Sequence, residues 1–94
     1  MENPIDIEIE IRTKAELMEA ISTGGIQRIL LDNFTPEALK ELVAVIPDSI
    51  ESEASGGITE SSVRAFAETG VDFISMGALT HSVKSLDLSL KAYF

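Results

Sequence analysis

The stretch Ile5-Asp6-Ile7-Glu8-Ile9-Glu10-Ile11-Arg12 alternates without a break, isoleucine at each odd position and a charged residue at each even one. Successive side chains of an extended chain point to opposite faces, so residues 5–12 read as a strand. Its apolar face is Ile5, Ile7, Ile9 and Ile11, and its polar face is Asp6, Glu8, Glu10 and Arg12. A strand buried on both faces of an open, doubly wound sheet would be nearly continuous in apolar residues. Here one face has to meet something polar.

Working outward, Thr13 stands three residues before Glu16, a capping-box spacing. Ala15, Leu17, Met18 and Ile21 then recur at helical intervals until Gly24-Gly25 stops the helix. The same order repeats twice. Ile29 to Leu31 is an apolar strand ending in Asp32-Asn33, followed by Thr35-Pro36 and a helix with Leu39, Leu42, Val43 and Ile46 on one stripe. A third strand, Ile50 to Ala54, leads through Ser55-Gly56-Gly57 to a helix opened by Thr59, with Val63, Phe66 and Ala67 inward and Gly70 at its end. Val71 to Met76 is a fourth strand. From Ser82 onward, Val83, Leu86, Leu88 and Leu90 fit a short helical turn and then an extended tail.

Strands alternating with helices imply right-handed crossovers and an α/β fold with a parallel sheet. The third strand carries Glu51 and Glu53, so it too has a polar face. In a barrel the isoleucine face packs on the outer helices while the other face points inward, where polar residues near the C-terminal mouth line a site. A complete eight-stranded barrel takes about 250 residues, so four parallel βα-type units in 94 residues amount to roughly half of a TIM-like α/β barrel. The competing arrangement is an antiparallel or open sheet with a solvated polar face.

Composition narrows the partners. With 45% hydrophobic residues, 24% charged residues and a mean hydropathy of +0.19, the chain falls in the range of folded, soluble domains and is short enough for one domain only. Sixteen acidic against seven basic residues give a net charge of −9, which opposes nucleic acid and anionic membrane surfaces. Any anionic ligand must be gripped locally against that field. There is no cysteine, hence no disulfide or thiolate metal site, and neither a signal-peptide pattern nor a membrane-spanning apolar run, so a cytoplasmic location is expected.

Candidate chemistry lies at the strand ends. Ser55-Gly56-Gly57 sits between a strand and a helix start, where free N–H groups and the helix dipole favour a phosphate and glycine permits close approach. An ordinary tight turn is the alternative. Gly77-Ala78-Leu79-Thr80 follows the next strand in the same way, and adjacent late βα loops commonly hold phosphate in barrels. Glu10 and Asp32 end their strands, with Glu53 near them, and can hold sugar hydroxyls, a Mg²⁺ ion or a developing positive charge. An Asx turn with Asn33 is the bland account of Asp32, and a solvated or paired strand face that of Glu8 and Glu51. His81, the only histidine, cannot build a metal site unaided, but it stands just past the second glycine loop, where it can donate to a phosphate oxygen.

Taken in order, Ile7-Glu8-Ile9-Glu10, Leu30-Leu31-Asp32-Asn33-Phe34, Glu53-Ala54-Ser55-Gly56-Gly57-Ile58, Thr69-Gly70-Val71-Asp72 and Gly77-Ala78-Leu79-Thr80-His81-Ser82 resemble the C-terminal part of the quinolinate phosphoribosyltransferases, also called nicotinate-nucleotide pyrophosphorylases (carboxylating). The resemblance spans almost the whole chain, 1–94. It implies a pentosyltransferase of NAD biosynthesis that joins quinolinate to phosphoribosyl pyrophosphate with Mg²⁺, releasing pyrophosphate and CO₂ and giving nicotinate mononucleotide. It implies an N-terminal α/β sandwich and an incomplete barrel. By motif, Glu10 and Asp32 correspond to the acidic catalytic pair at ribose and metal, and Ser55, Gly56, Gly57, Gly77 and Ala78 to the 5′-phosphate cradle. Glu53 and His81 correspond to positions near the ligand.

The resemblance also implies what this chain lacks: the N-terminal domain, the early barrel strands and their cluster of cations. Lys14, Lys40 and Arg64 fall on predicted helices and Arg28 at a strand start, leaving Arg12 and Lys84 as candidate cations at the mouth. The chain alone is therefore expected to be inactive. A second reading is a non-catalytic, self-associating half-barrel module, a homo-oligomer that covers its own open faces and edges.

Overall fold

The structure, a computed structural model, describes residues 7–85. Ile5, Asp6 and the tail with Leu86, Leu88 and Leu90 lie outside the described residues. Five strands and three α-helices follow in the order β1 (Glu8–Ile11), α1 (Lys14–Thr23), β2 (Arg28–Asp32), α2 (Pro36–Val45), β3 (Glu51–Ser55), α3 (Val63–Ala67), β4 (Phe73–Met76) and β5 (Leu79–Ser82), with a 3₁₀ turn at Val83–Ser85. The sheet order is β1-β2-β3-β4-β5, parallel through β4 and antiparallel between β4 and β5.

That order decides the architecture. Each parallel crossover moves one strand further in the same direction, and crossovers of one hand then deposit every helix on the same face. A doubly wound sheet would reverse direction and cover both faces. The register separates the two faces cleanly. Ile9 and Ile11 of β1 share a face with Ile29 and Leu31 of β2, Ser52 and Ala54 of β3, and Ile74 of β4. This face meets Leu17 of α1, Leu39 and Leu42 of α2, and Val63 and Phe66 of α3 in one apolar core. Leu17, Ile29, Leu39, Val63 and Ile74 have no exposed surface at all, so truncating any of them to alanine costs about 2–5 kcal/mol. The opposite face carries Glu8, Glu10, Arg28, Leu30, Asp32, Glu51, Glu53, Ser55, Phe73 and Ser75 and is not covered by any described helix. The half-barrel reading is borne out.

Local signals work largely as read. Thr13 caps α1 by accepting from the Glu16 N–H at 3.1 Å, but the Glu16 carboxylate reaches back one residue further than a capping box prescribes and accepts from the Arg12 N–H at 2.7 Å. Thr35 caps α2 with Pro36 in its first turn, accepting from the Ala38 N–H at 3.2 Å. Gly24 ends α1 at φ 79°, its N–H bonded to the Ala20 carbonyl.

Four details differ. Ile7 is half exposed, because β1 has no strand on its outer side among the described residues and α1 shelters only Ile9 and Ile11. The third helix does not open at Thr59. Thr59 to Ser62 form a turn in which Ser62 Oγ accepts from the Thr59 N–H at 3.0 Å, and α3 is the single turn-and-a-half Val63–Ala67. Thr59, Ser61 and Ser62 hydroxyls bond one another there, and such local bonds compete with helix. The fourth strand starts at Phe73, and Asp72 just before it is tied to Ser52 of β3 through its backbone N–H and its carboxylate. Finally, β4 is followed by a strand and not by a helix.

Candidate functional site

The open face of the sheet is organised in rows, because parallel partners in register point the same way. The lowest row is Glu8, Arg28 and Glu51. The middle row is Glu10, Leu30, Glu53 and Phe73. The top row, at the C-terminal ends of the parallel strands, holds Arg12 just past β1, Asp32, Ser55, Ser75 and, across the hairpin, Thr80.

Glu10 and Asp32 come together through a cation. Arg12 Nη2 lies 2.9 Å from Glu10 Oε2 and Arg12 Nε 3.5 Å from Asp32 Oδ2. The other Asp32 oxygen accepts from Ser55 Oγ at 3.3 Å. Asp32 thus turns its carboxylate to the neighbouring strands and not into an Asx turn of its own. Both carboxylates keep solvent access, with 42% of the Glu10 side chain and 27% of the Asp32 side chain exposed. They can therefore meet a ligand above the sheet.

Glu53, in contrast, is buried. Its Oε1 pairs with Arg28 Nη1 at 3.2 Å and its Oε2 accepts from Ser75 Oγ, whose oxygen lies 3.0 Å from Thr80 Oγ1. Arg28 also reaches Glu51 at 2.9 Å and lies 4.0 Å over the Phe73 ring. Burial by itself would lower the Arg28 pKa, but hydrogen bonds and charge attraction to Glu51 and then Glu53 outweigh it and hold the guanidinium above its ordinary value. The bland account of Glu51 as a paired strand residue, and of Glu8 as a solvated one, fits.

At the top of β3, Gly56 sits at φ 99° with no room for a side chain: a Cβ would stand 2.7 Å from the Asn33 nitrogen and 2.8 Å from its Cα. Asn33 itself adopts φ 68° and donates its N–H to the Ser55 carbonyl at 2.9 Å. The β2–α2 and β3–α3 turns are thereby clasped, which keeps Asp32 beside Ser55. Gly57, at φ 69°, faces open space.

The second glycine turn is of another kind. Gly77 and Ala78 are the two central residues of a hairpin between β4 and β5, flanked by the pair Met76 and Leu79. They are at the mouth, as the sequence places them, but not in a βα loop. His81 is correspondingly not in a loop. It belongs to β5 opposite Ile74, on the helix side of the sheet, whereas Asp32 and Ser55 occupy the other face. Lys84 follows the far end of β5 and lines a hollow with Glu51, Asp72 and Phe73 at the N-terminal ends of the parallel strands, whereas Arg12 stands at the mouth between Glu10 and Asp32. The helix-dipole part of the phosphate argument also lapses, since α3 begins at Val63.

The family profile described as the C-terminal domain of quinolinate phosphoribosyl transferase matches residues 1–91. The chain belongs to this family. It is 49% identical over 86 residues to a probable nicotinate-nucleotide pyrophosphorylase [carboxylating] of Bacillus subtilis, covering 92% of this chain and 29% of that protein. It is 46% identical to the protein of the same name from Methanocaldococcus jannaschii, covering 89% of this chain and 32% of that one. The solved structure of the nicotinate-nucleotide pyrophosphorylase from Francisella tularensis superposes with a TM-score of 0.68 at 39% identity, over 76% of this chain and 25% of that chain. The chain therefore spans about a third or less of the length of these family members.

Within the family domain, sequence reasoning missed Ser75 and Thr80 and set Arg28 aside. The alternation that exposed Glu10 and Asp32 also puts Ser75 on the open face, but a serine in a strand carries no chemical signature. Thr80 becomes visible only once β5 folds back on β4. Among the described residues no group of three or more His, Cys, Asp and Glu can hold a metal. Two solvent-accessible hard-oxygen carboxylates, Glu10 and Asp32, still suit Mg²⁺, which is usually held by one or two carboxylates with water and substrate phosphates completing its shell. No helix among the described residues is long and apolar enough to cross a membrane.

Proposed function

We propose that this chain forms the acidic, phosphate-gripping side of a phosphoribosyltransferase site. The parent activity is phosphoribosyl transfer from phosphoribosyl pyrophosphate to quinolinate with decarboxylation, giving nicotinate mononucleotide. The observation that carries it is the top row of the open sheet face, where Glu10 and Asp32 share Arg12 and Asp32 also holds Ser55 beside Gly56. Breaking the bond between the anomeric carbon and pyrophosphate builds positive charge on the ribose, and carboxylates fixed beneath it stabilise that charge. Glu10 and Asp32 would hold Mg²⁺, which would supply charge neutralisation for the pyrophosphate leaving group, and Arg12 pairs with both carboxylates. Ser55, Gly56 and Gly57 take the 5′-phosphate, and Gly77 and Ala78 bound the same mouth from β4.

The open face carries Glu8, Glu10, Asp32, Glu51 and Glu53 against Arg12 and Arg28, so the cations that recognise the carboxylates of quinolinate and the pyrophosphate come from outside the described residues. Alone, the chain binds Mg²⁺–phosphoribosyl pyrophosphate weakly and does not turn over. Calorimetric titration with phosphoribosyl pyrophosphate, with and without Mg²⁺, tests this. Binding that requires Mg²⁺ and falls at least tenfold in Asp32→Asn is the expected result. Binding indifferent to Asp32 would overturn the site, and robust formation of nicotinate mononucleotide would overturn the inactivity.

A homo-oligomer in the cytoplasm is the accompanying reading. It is supported by the outer edge of β1, whose neighbour is missing among the described residues. The acidic open face repels its own copy, so self-association would run through that edge. Sedimentation equilibrium giving a strict monomer at high concentration would dismiss it.

A further inference from the structure

Glu53 is the only charged residue among those described that is buried, at 8% exposure. Burying a carboxylate is costly unless both its oxygens are paired, and the pairing fixes where the group points. Arg28 takes Oε1 from the row below. The other oxygen is held from the row above by Ser75, and Ser75 in turn touches Thr80 across the hairpin. The direction of this chain is determined. With Glu53 ionised against Arg28, its oxygens only accept, so Ser75 spends its one O–H on Glu53 and its oxygen must accept from the Thr80 O–H.

We infer that Ser75 and Thr80 are positioning residues for Glu53: the chain Thr80 O–H to Ser75 Oγ and Ser75 O–H to Glu53 Oε2 locks the buried carboxylate in one rotamer, held between Arg28 below and Ser75 above. The lock depends on β4 being followed by an antiparallel strand and not by another helix. The strand folding straight back places the Thr80 hydroxyl beside Ser75 on the open face, in the pair Ser75–Thr80. It also assigns the hairpin a part in the site that does not depend on Gly77 touching phosphate. The effect on ligand rests on the phosphoribosyltransferase reading given above; the locking of Glu53 does not.

Two readouts on the 94-residue chain separate these. The first is the set of three-bond couplings that report the Glu53 side-chain rotamer by NMR. Wild type and Thr80→Ser, which keeps the donor, show a single rotamer. Ser75→Ala and Thr80→Val show averaged couplings. Unchanged Glu53 couplings in both of these variants would overturn the inference. Thr80 is exposed, so Thr80→Val carries the test even if Ser75→Ala fails to fold. The second readout is the Kd for phosphoribosyl pyrophosphate with Mg²⁺. It rises about threefold to tenfold in Ser75→Ala, because binding must then immobilise a side chain that wild type already holds fixed, and by less in Thr80→Val, with Thr80→Ser restored to wild type. Wild-type binding with no change in Ser75→Ala would also overturn the positioning role. If wild type does not bind this ligand, the phosphoribosyltransferase reading of the chain fails, and the couplings still judge the lock on their own.

Discussion

Two glycine-bearing turns leave the same end of the sheet, one after β3 and one after β4, and they use glycine for different reasons. Gly56 is required by what lies against it: the backbone of Asn33 occupies the volume a Cβ would need. Gly77 is required by the turn itself. It has φ 62° at the first central position of a two-residue hairpin, as in a type II′ turn, and a Cβ there would meet nothing. The first turn therefore couples two parallel units and fixes Asp32 beside Ser55, while the second only reverses the chain. Identical letters after a strand do not distinguish a clasp from a reversal; the neighbour in space does.

The sharpest way to break this contrast is Gly56→Ala. A Cβ 2.7 Å from a backbone nitrogen has no side-chain rotation to relieve it, and φ 99° is itself unfavourable for alanine. Overpacking and backbone strain together are expected to destabilise the chain by about 3–4 kcal/mol. Urea unfolding measures this. A loss below about 1 kcal/mol would mean that the turns move apart freely and that the clasp is not a constraint.

Next in size is Arg28→Met, which tests the link between the two regions through Glu53. Methionine keeps apolar bulk against Phe73 but leaves Glu53 Oε1 without its cation. Losing a partner of a mostly buried carboxylate is expected to cost about 2 kcal/mol, less than for a fully buried pair because 30% of the Arg28 side chain meets solvent. The folded pKa of Arg28 is raised, so the stabilisation is fully present below its unfolded value. It is lost only as pH climbs through the raised folded value, far above neutrality. The deficit of Arg28→Met should thus be undiminished from neutral to moderately alkaline pH, as parallel urea titrations would record.

The contrast also shows what the sequence makes legible. Strict alternation in Ile7 to Arg12 reports both the strand and its two-faced environment, since a period of two survives any tertiary context that keeps one face buried. Thr13 and Thr35-Pro36 announce helix starts because a cap is a local bond. Glu10, Asp32, Glu53 and Ser55 could be found from strand ends alone, and the structure brings them onto one face. Thr59 misled, because a cluster of hydroxyls can satisfy itself in a turn as readily as it caps a helix. Leu79-Thr80-His81-Ser82 misled more deeply. Nothing in four such residues says whether a strand returns antiparallel or a βα loop continues, because that choice is made by pairing with Phe73 to Met76. His81 and Thr80 therefore exchange importance once the hairpin is known: His81 goes to the helix side and Thr80 joins the open face.

The smallest effect sharpens the comparison most. Gly77→Ala keeps the space around the residue empty and changes only the backbone preference at φ 62°, so it should cost about 1 kcal/mol. Gly77→Asn, whose side chain tolerates positive φ, should recover most of that loss. The same two substitutions at Gly56 behave differently, because asparagine is larger than alanine and the clash with Asn33 worsens with size. The diagnostic quantity is thus the sign of the difference between the Asn and Ala variants at each site. At position 77 asparagine is the milder substitution; at position 56 it is the harsher. If asparagine were milder at both positions, Gly56 would be serving turn conformation alone, and the clasp that holds Asp32 against Ser55 would have to be sought elsewhere.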